Sequence, residues 1–327
     1  MLLHVLLAMA LVSTETTSQA GQTLPSQFTA DLVYLKPELV GGKSVLFYTD
    51  TGGGYFLSGY AVRTQGIEVA PGPIDLQREM GTDATVARLM QKEARGIPEG
   101  LPLGGWFPVV PSPAHHDLPG QRAFDGVLGA PWFAGRVWTW DFKRAQFRIE
   151  SSAWKPSADV RKVGLGFRQS PDGKREMDYP RIDVRVDGQQ LPMLLDTGAN
   201  TVLSPEALNA LNDGGSAQRS TSMIVDSVFQ TWRKAHPDWR VIEQAQSGTG
   251  DAMIEVPDVE FAGWRVGPVW FTHRADHDFH DYMSTYTDIR VEGAIGNNVY
   301  REFRMTLDYP NAAAYFSCTG KCRDAAK

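Results

Sequence analysis

The sequence predicts a mainly β chain built by duplication, with two β-barrel-like lobes, each carrying short helices, that face one another across a cleft. Three observations predict it. The tripeptide Asp-Thr-Gly occurs twice, at Asp50-Thr51-Gly52 and Asp196-Thr197-Gly198, each time ending an apolar run (Val45–Thr49 and Leu191–Leu195). Each copy is followed by an acid-Gly-apolar-apolar-Gly string, Asp125-Gly126-Val127-Leu128-Gly129 and Glu292-Gly293-Ala294-Ile295-Gly296. From those glycines onward the copies align without a gap, Gly129 to Asp141 over Gly296 to Asp308, and both close on a Thr-x-Asp-aromatic strand end. Self-similarity of this kind marks an internal repeat.

The elements follow in order. Residues 1–20 read as a secretory signal peptide: Met1–Val12 is apolar, Ser13–Ala20 is polar, and Ser18 and Ala20 are small residues at a cleavage spacing. The run lacks a leading Lys or Arg, so a buried N-terminal strand or helix is the competing reading. No Cys follows it, which argues against a lipid anchor, and no prosegment is evident between Ala20 and Phe28, so no autocatalytic activation is expected.

The N-terminal lobe, residues 21–155, opens with Phe28–Leu35 as one strand. A turn at Val40-Gly41-Gly42-Lys43 then leads into the strand that carries Asp50. The C-terminal lobe, residues 156–327, repeats the plan. Arg181–Val186 alternates with period two, and an Asp187-Gly188 hairpin turn leads to the strand carrying Asp196. Further strands are expected at Tyr55–Leu57 and Thr201–Leu203, and at Trp106–Val110, Ala252–Phe261 and Val266–Phe271. Ser204-Pro205-Glu206 is an N-cap, N1 and acidic first-turn signature for a helix through Leu211. Asp83 caps an expected helix over Ala84–Arg95, matched by Ser222–Ala235 in the second lobe, which stops before Pro237. The linker is Ser151–Tyr179, and Val163–Phe167 within it reads as a strand shared between the lobes.

Composition narrows the function classes. In 327 residues there is room for two cores, and 42% hydrophobic with 21% charged residues is ordinary for a globular chain. A net charge of −6 without a basic stripe argues against nucleic-acid partners. Beyond the leader no run is apolar enough to span a bilayer. The two cysteines, Cys318 and Cys322, are too close together for a metal site of their own and suit a small disulfide in an exported protein.

Asp-Thr-Gly is also good turn chemistry, because Asp accepts local backbone hydrogen bonds and Gly tolerates positive φ. The matched downstream strings weigh against turns alone. With them the chain resembles the pepsin-like and retropepsin-like aspartic peptidases, specifically their bacterial, two-lobed, single-chain relatives, over roughly residues 28–316. The resemblance implies the bilobal acid-protease fold and Asp50 and Asp196 as the catalytic pair. Thr51, Gly52, Thr197 and Gly198 would complete the two loops. Val127, Leu128 and Gly129, and Ala294, Ile295 and Gly296, would pack beneath them. It implies a monomer acting on peptide or protein substrates with no cofactor and no metal.

Two departures matter. Pepsins follow the tripeptide with Ser or Thr, whose hydroxyl bonds the outer oxygen of the catalytic Asp, whereas this chain has Gly53 and Ala199. Ala is what the retroviral enzymes use. The Gly52-Gly53-Gly54 run is expected to loosen the first loop, and the missing hydroxyl at Ala199 to make the pH optimum less acidic than pepsin's.

The chemistry needs two carboxyls. Held about 3 Å apart they cannot both ionise, so the pair shares one proton. The ionised member takes a proton from a bridging water that attacks the peptide carbonyl, and the protonated member donates to the carbonyl oxygen. Two other readings compete: a non-catalytic peptide-binding protein on the same fold, and a metal-dependent protein using His273, Asp276, His277, Asp278, His280 and Asp281. A solvated loop at the cleft rim accounts better for that cluster, as it does for His115-His116-Asp117 in the first lobe. Among nine Trp, Trp132, Trp138 and Trp140 are expected in the core beneath the first loop, and core is also the expectation for Trp106 and Trp270. Ser247-Gly248-Thr249-Gly250 is either a flap tip or a simple hairpin turn.

Overall fold

The computed structural model describes residues 21–100, 103–112 and 123–325, with Glu79 described by its backbone alone. The signal-peptide reading of residues 1–20 and the His115-His116-Asp117 loop lie outside the described residues.

The first lobe contains β1 (Gln22–Thr23), β2 (Ser26–Thr29), β3 (Leu32–Leu35), β4 (Phe47–Asp50), β5 (Phe56–Ser58), α1 (Gly59–Gln65), β6 (Glu68–Pro71), α2 (Ile74–Met80), β7 (Thr85–Arg88), β8 (Trp106–Val110), β9 (Gly126–Gly129), α3 (Ala130–Phe133), β10 (Val137–Asp141) and β11 (Gln146–Ile149). The linker contributes β12 (Arg161–Gly164). The second lobe contains β13 (Arg181–Val186), β14 (Gln189–Leu195), β15 (Asn200–Val202), α4 (Pro205–Leu211), β16 (Gln218–Ser220), β17 (Ser222–Val225), α5 (Asp226–Ala235), β18 (Val241–Ile242) and β19 (Met253–Val256). It continues through β20 (Val259–Phe261), β21 (Trp264–Val266), β22 (Val269–Arg274), β23 (Gly293–Ile295), α6 (Asn297–Tyr300), β24 (Phe303–Asp308), β25 (Ala313–Cys318) and β26 (Cys322–Asp324).

The chain is mainly β and bilobal. One sheet runs β2-β3-β4-β9-β5-β8-β7-β6 in the first lobe, and a second runs β18-β19-β22-β17-β23-β14-β13-β20-β21-β26 in the other. The duplication is visible in register. β4 lies parallel to β9, which is antiparallel to β5, which is parallel to β8. β14, β23, β17 and β22 repeat that order and those directions.

A third sheet, β1-β11-β10-β24-β25-β12, joins the halves. The two Thr-x-Asp strands pair with each other at its centre, Val137 opposite Asp308 and Thr139 opposite Thr306, with the threonine hydroxyls 2.8 Å apart. Packed around this sheet are the fully buried Trp132, Trp138 and Trp140, the first two stacked at 4.6 Å. The linker strand belongs here through Val163 and Gly164 on β12, so a strand shared between lobes is present.

Several elements differ from the sequence reading. Phe28–Leu35 is a hairpin, because Ala30 and Asp31 turn the chain with φ of 51° and 65°. Few non-glycine residues take that conformation. Here the second lobe holds the turn: Ser220 N–H donates to the Ala30 carbonyl at 3.1 Å, and Arg301 pairs with Asp31 at 2.7 Å.

Residues 84–95 are rich in helix formers, yet 85–88 form β7 between β6 and β8, burying Val86 and Ala87. Strand pairing outweighs propensity there. The first-lobe partner of α5 is α1, capped by Ser58 Oγ accepting from Ala61 N–H at 3.1 Å. β15 is not the counterpart of β5; that counterpart is β17, since residues 200–220 form a hairpin with α4 at its tip that the first lobe lacks. α4 itself starts where predicted, with Ser204 Oγ accepting from Ala207 N–H. Residues 252–261 and 266–271 each break across two strands, the second at Pro268, which has no N–H for the ladder.

Candidate active site

β4 and β14 end at the junction between the lobes and bring Asp50 and Asp196 together, each carboxyl lying against the other loop's glycine. Within each loop the geometry repeats. Gly52 N–H donates to Asp50 Oδ1 at 2.9 Å and Gly198 N–H to Asp196 Oδ1 at 2.8 Å.

The glycines are required by contact rather than by φ. A Cβ on Gly52 would sit 2.5 Å from Asp196 Cγ, and one on Gly198 would sit 2.2 Å from Asp50 Cγ. Neither glycine has positive φ, so the turn argument for them does not hold. Each loop therefore presses its glycine against the other loop's carboxyl.

The threonines tie the loops. Both are fully buried. Thr51 Oγ1 donates to the Leu195 carbonyl at 2.7 Å and accepts from Thr197 N–H at 2.9 Å, while Thr197 Oγ1 accepts from Thr51 N–H at 3.2 Å.

Beneath them, Val127, Leu128 and Gly129 run parallel to β4, with Gly129 opposite Asp50. Ala294 and Ile295 lie parallel to Leu194 and Leu195, and Asp196 N–H donates to the Ile295 carbonyl at 3.0 Å. A Cβ on Gly129 would lie 2.0 Å from the Gly54 carbonyl oxygen, and one on Gly296 would lie 2.2 Å from that of Thr221. Ala130 N–H also holds the Gly53 carbonyl at 2.8 Å.

Burial raises both carboxyls. Asp196 is pushed well above the ordinary range, first by desolvation and then by the charge of Asp50 beside it. Asp50 is raised too: desolvation is again the main cause, opposed by its interaction with Asp196 and by the Gly52 and Gly53 N–H groups. Both residues keep a partly open face, so solvent reaches the pair. Such a pair can share one proton, and can take a proton from one reactant while giving one to another.

Sequence reasoning missed several neighbours. Tyr48 on β4 reaches across to donate to the Gly198 carbonyl, and Asn200 Nδ2 donates to the same carbonyl at 2.9 Å. Asn297 Nδ2 donates to the Thr197 carbonyl at 2.8 Å. Asn200 and Asn297 each lie within two residues of a motif, which was the available signal. Tyr179 precedes Pro180, whose carbonyl accepts from Leu195 N–H at 2.8 Å, and it packs on Tyr286 at 5.1 Å. Burial, Tyr286 and the charge of Asp50 push its hydroxyl up to about 12.

The His-rich segment is spread over separate partners. His273 Nε2 lies 2.8 Å from Asp226, His280 Nε2 lies 2.7 Å from Glu292, and His277 pairs with its neighbour Asp278. Among the described residues no group of three or more His, Cys, Asp or Glu is arranged to hold a metal. Trp106 and Trp270, expected in the core, are half-buried. Trp270 lines a depression of about 510 Å³ with Arg219 and Pro268. Ser247–Gly250 forms a tight turn before β19, with Gly250 N–H on the Gln246 carbonyl. Cys318 and Cys322 form a disulfide with Cα atoms 6.0 Å apart. No helix among the described residues is long and apolar enough to cross a membrane.

No family model and no curated protein matches the chain. Among solved structures it is similar to an aspartic proteinase from Irpex lacteus, at 9% identity over 92% of this chain and 98% of that one, with a TM-score of 0.48. It is similar also to conglutin gamma, a basic 7S globulin from lupine seeds, at 12% identity over 92% and 95%, with a TM-score of 0.44. At these scores neither likeness bears on what this chain does.

Proposed function

We propose that the chain is an aspartic endopeptidase, exported to the periplasm or secreted, that acts as a monomer on peptide or protein substrates without a cofactor. One observation carries the reading: two carboxyls from equivalent loops of a duplicated chain are brought together, each against the glycine of the other's loop.

Of Asp50 and Asp196, the ionised member is the base. It takes a proton from a water held between the carboxyls as the water oxygen bonds to the peptide carbon. The protonated member gives its proton to the carbonyl oxygen, forming a neutral gem-diol. The base then returns its proton to the amide nitrogen as the C–N bond breaks, and its partner recovers one from the diol hydroxyl. Thr51 and Thr197 keep the loops in register through this exchange, and Gly52 and Gly198 leave room for it.

The test is cleavage of a diverse peptide mixture across pH 3–8 by wild type, Asp50→Asn and Asp196→Asn, each with and without pepstatin. Activity that either substitution abolishes and pepstatin inhibits is the expected result. A folded wild type that binds peptides and cuts none would leave the non-catalytic reading in its stead.

A further inference from the structure

Asn297 is the first residue of α6 and follows Gly296, the glycine of the segment beneath the second loop. It is fully buried. Its Nδ2 donates to the Thr197 carbonyl at 2.8 Å. The amide can face that carbonyl only this way round, because both oxygens are acceptors. The other end of the same peptide unit is the Gly198 N–H, which donates to Asp196 Oδ1 at 2.8 Å. A continuous chain of hydrogen bonds thus runs from the Asn297 amide, through one peptide, to the carboxyl. Donation to the carbonyl polarises the peptide and makes its N–H a better donor, so the two bonds strengthen one another.

The first lobe lacks the outer link. Gly52 N–H donates to Asp50 Oδ1 at 2.9 Å, as its counterpart does in the second lobe. Gly129 aligns with Gly296, however, so Ala130 stands where Asn297 does, at the start of α3, and its methyl donates nothing. Ala130 supplies its main-chain N–H instead, to the Gly53 carbonyl at 2.8 Å, which belongs to another peptide. An alanine therefore suffices to begin the helix, and the turn by itself does not call for a buried amide. Asn297 Oδ1 has no partner among the described residues, so the donor at Nδ2 is what the amide contributes.

We propose that Asn297 is a positioning residue for Asp196: it grips and polarises the Thr197–Gly198 peptide, holding the Gly198 N–H on the carboxyl and favouring its ionised form. The inference deepens the peptidase reading and rests on it for its purpose, but not for its test. A buried carboxyl that exchanges a proton in every turnover needs a fixed donor that supports its charge when the proton is away. The titratable groups that face Asp196 are Asp50 and Tyr48 on β4 and Tyr300 on α6. None of these is a cation, so among the described residues that support falls to hydrogen-bond donors.

Asn297→Ala removes the donor and copies the residue that the first lobe already uses. In protein labelled with 13C at the aspartate carboxyls, each member of the pair can be read alone. Asp196 titrates by itself in Asp50→Asn protein, and Asp50 by itself in Asp196→Asn protein. Adding Asn297→Ala should raise Asp196 by roughly 0.5–1 pKa unit in the first background and leave Asp50 within about 0.2 unit in the second. In the otherwise wild-type chain Asn297→Ala should lower kcat/KM about threefold to tenfold, the size of one ordinary hydrogen bond, and move its pH profile upward. Unchanged titration of Asp196 in folded protein overturns the proposal. Equal shifts of both carboxyls overturn it too, since they would mean that the variant only loosens the core. Should Asn297→Ala not fold, Asn297→Leu, which fills the volume of the amide without a donor, decides by the same criterion. A shift confined to Asp196 in a protein that cuts no peptide would keep the positioning role and remove the peptidase reading alone.

Discussion

The two Asp-Thr-Gly loops have the same backbone purpose and reach it by different means. In the first, Gly53 and Gly54 run straight into β5. The loop is held by main-chain contact with Gly129 and by Ala130 N–H on the Gly53 carbonyl. In the second, residues 200–220 intervene before β17, and Asn200, Gln218 and Ser220 side chains hold what the first loop holds by proximity. The glycine run of the first loop is therefore not slack. A Cβ on Gly53 would lie 2.6 Å from Asp50 Oδ2, which leaves no room for a side chain there. Duplicated loops diverge in their supports while the pressed contact between them stays common.

The strongest way to break the comparison is at that common contact. Gly52→Ala and Gly198→Ala each drive a methyl into the opposing carboxyl. Both should lower kcat/KM by about a hundredfold or more, the usual cost of displacing a reacting group by an ångström. Gly54→Ala, with nothing within 4 Å of the new Cβ, should stay within about twofold of wild type. Equal losses at all three positions would mean that backbone freedom, not contact, is what the glycines supply.

Gly53→Ser separates geometry from family resemblance. By resemblance, a hydroxyl after the tripeptide steadies the outer carboxylate oxygen and should help. By contact it collides with Asp50 Oδ2, and we expect a loss of about tenfold in kcat/KM. A gain would show that the first loop moves aside.

What the sequence revealed and concealed divides along the same line. The motifs are local strings, so the two Asp-Thr-Gly loops and the segments around Gly129 and Gly296 could be marked in the sequence, and the structure pairs each segment with the strand before its loop. The Asp187-Gly188 hairpin was legible too, because both residues take positive φ, as their turn chemistry demands. The turn at Ala30-Asp31 was not, since its stabilisers, Ser220 and Arg301, lie in the other lobe. β7 was hidden for a similar reason: helix-forming residues were recruited into a sheet by neighbours remote in the chain. Tyr48 was read as one more apolar strand residue, because nothing local tells that its phenol ends on a carbonyl 150 positions away.

The threonines test whether the tie between loops is symmetric. Thr51 Oγ1 both donates to Leu195 and accepts from Thr197 N–H, whereas Thr197 Oγ1 is seen only as the acceptor for Thr51 N–H. Thr51→Val leaves a buried carbonyl and a buried N–H unpaired and should cost about 2–3 kcal/mol in denaturant unfolding; Thr197→Val leaves one N–H and should cost about 1 kcal/mol. The reverse ranking would put the dominant tie on the second lobe.

The smallest expected effect concerns the carboxyls as a burden on folding. Both are raised above the ordinary 3.8, chiefly by desolvation. A carboxyl whose pKa is higher in the folded state binds its proton more tightly there. Below the unfolded value both states are protonated and nothing is lost; as pH rises past it, the unfolded chain ionises freely and the folded one does so reluctantly, so stability falls. Asp196→Asn removes the reluctant acid while keeping the shape. It should therefore match wild type near pH 3 and exceed it at pH 7, and Asp50→Asn should do the same. Urea unfolding at the two pH values reads the difference. A gain independent of pH would assign the strain to packing rather than charge, and an equal gain from both variants would mean that the loops, for all their different supports, deliver electrostatically equivalent carboxyls.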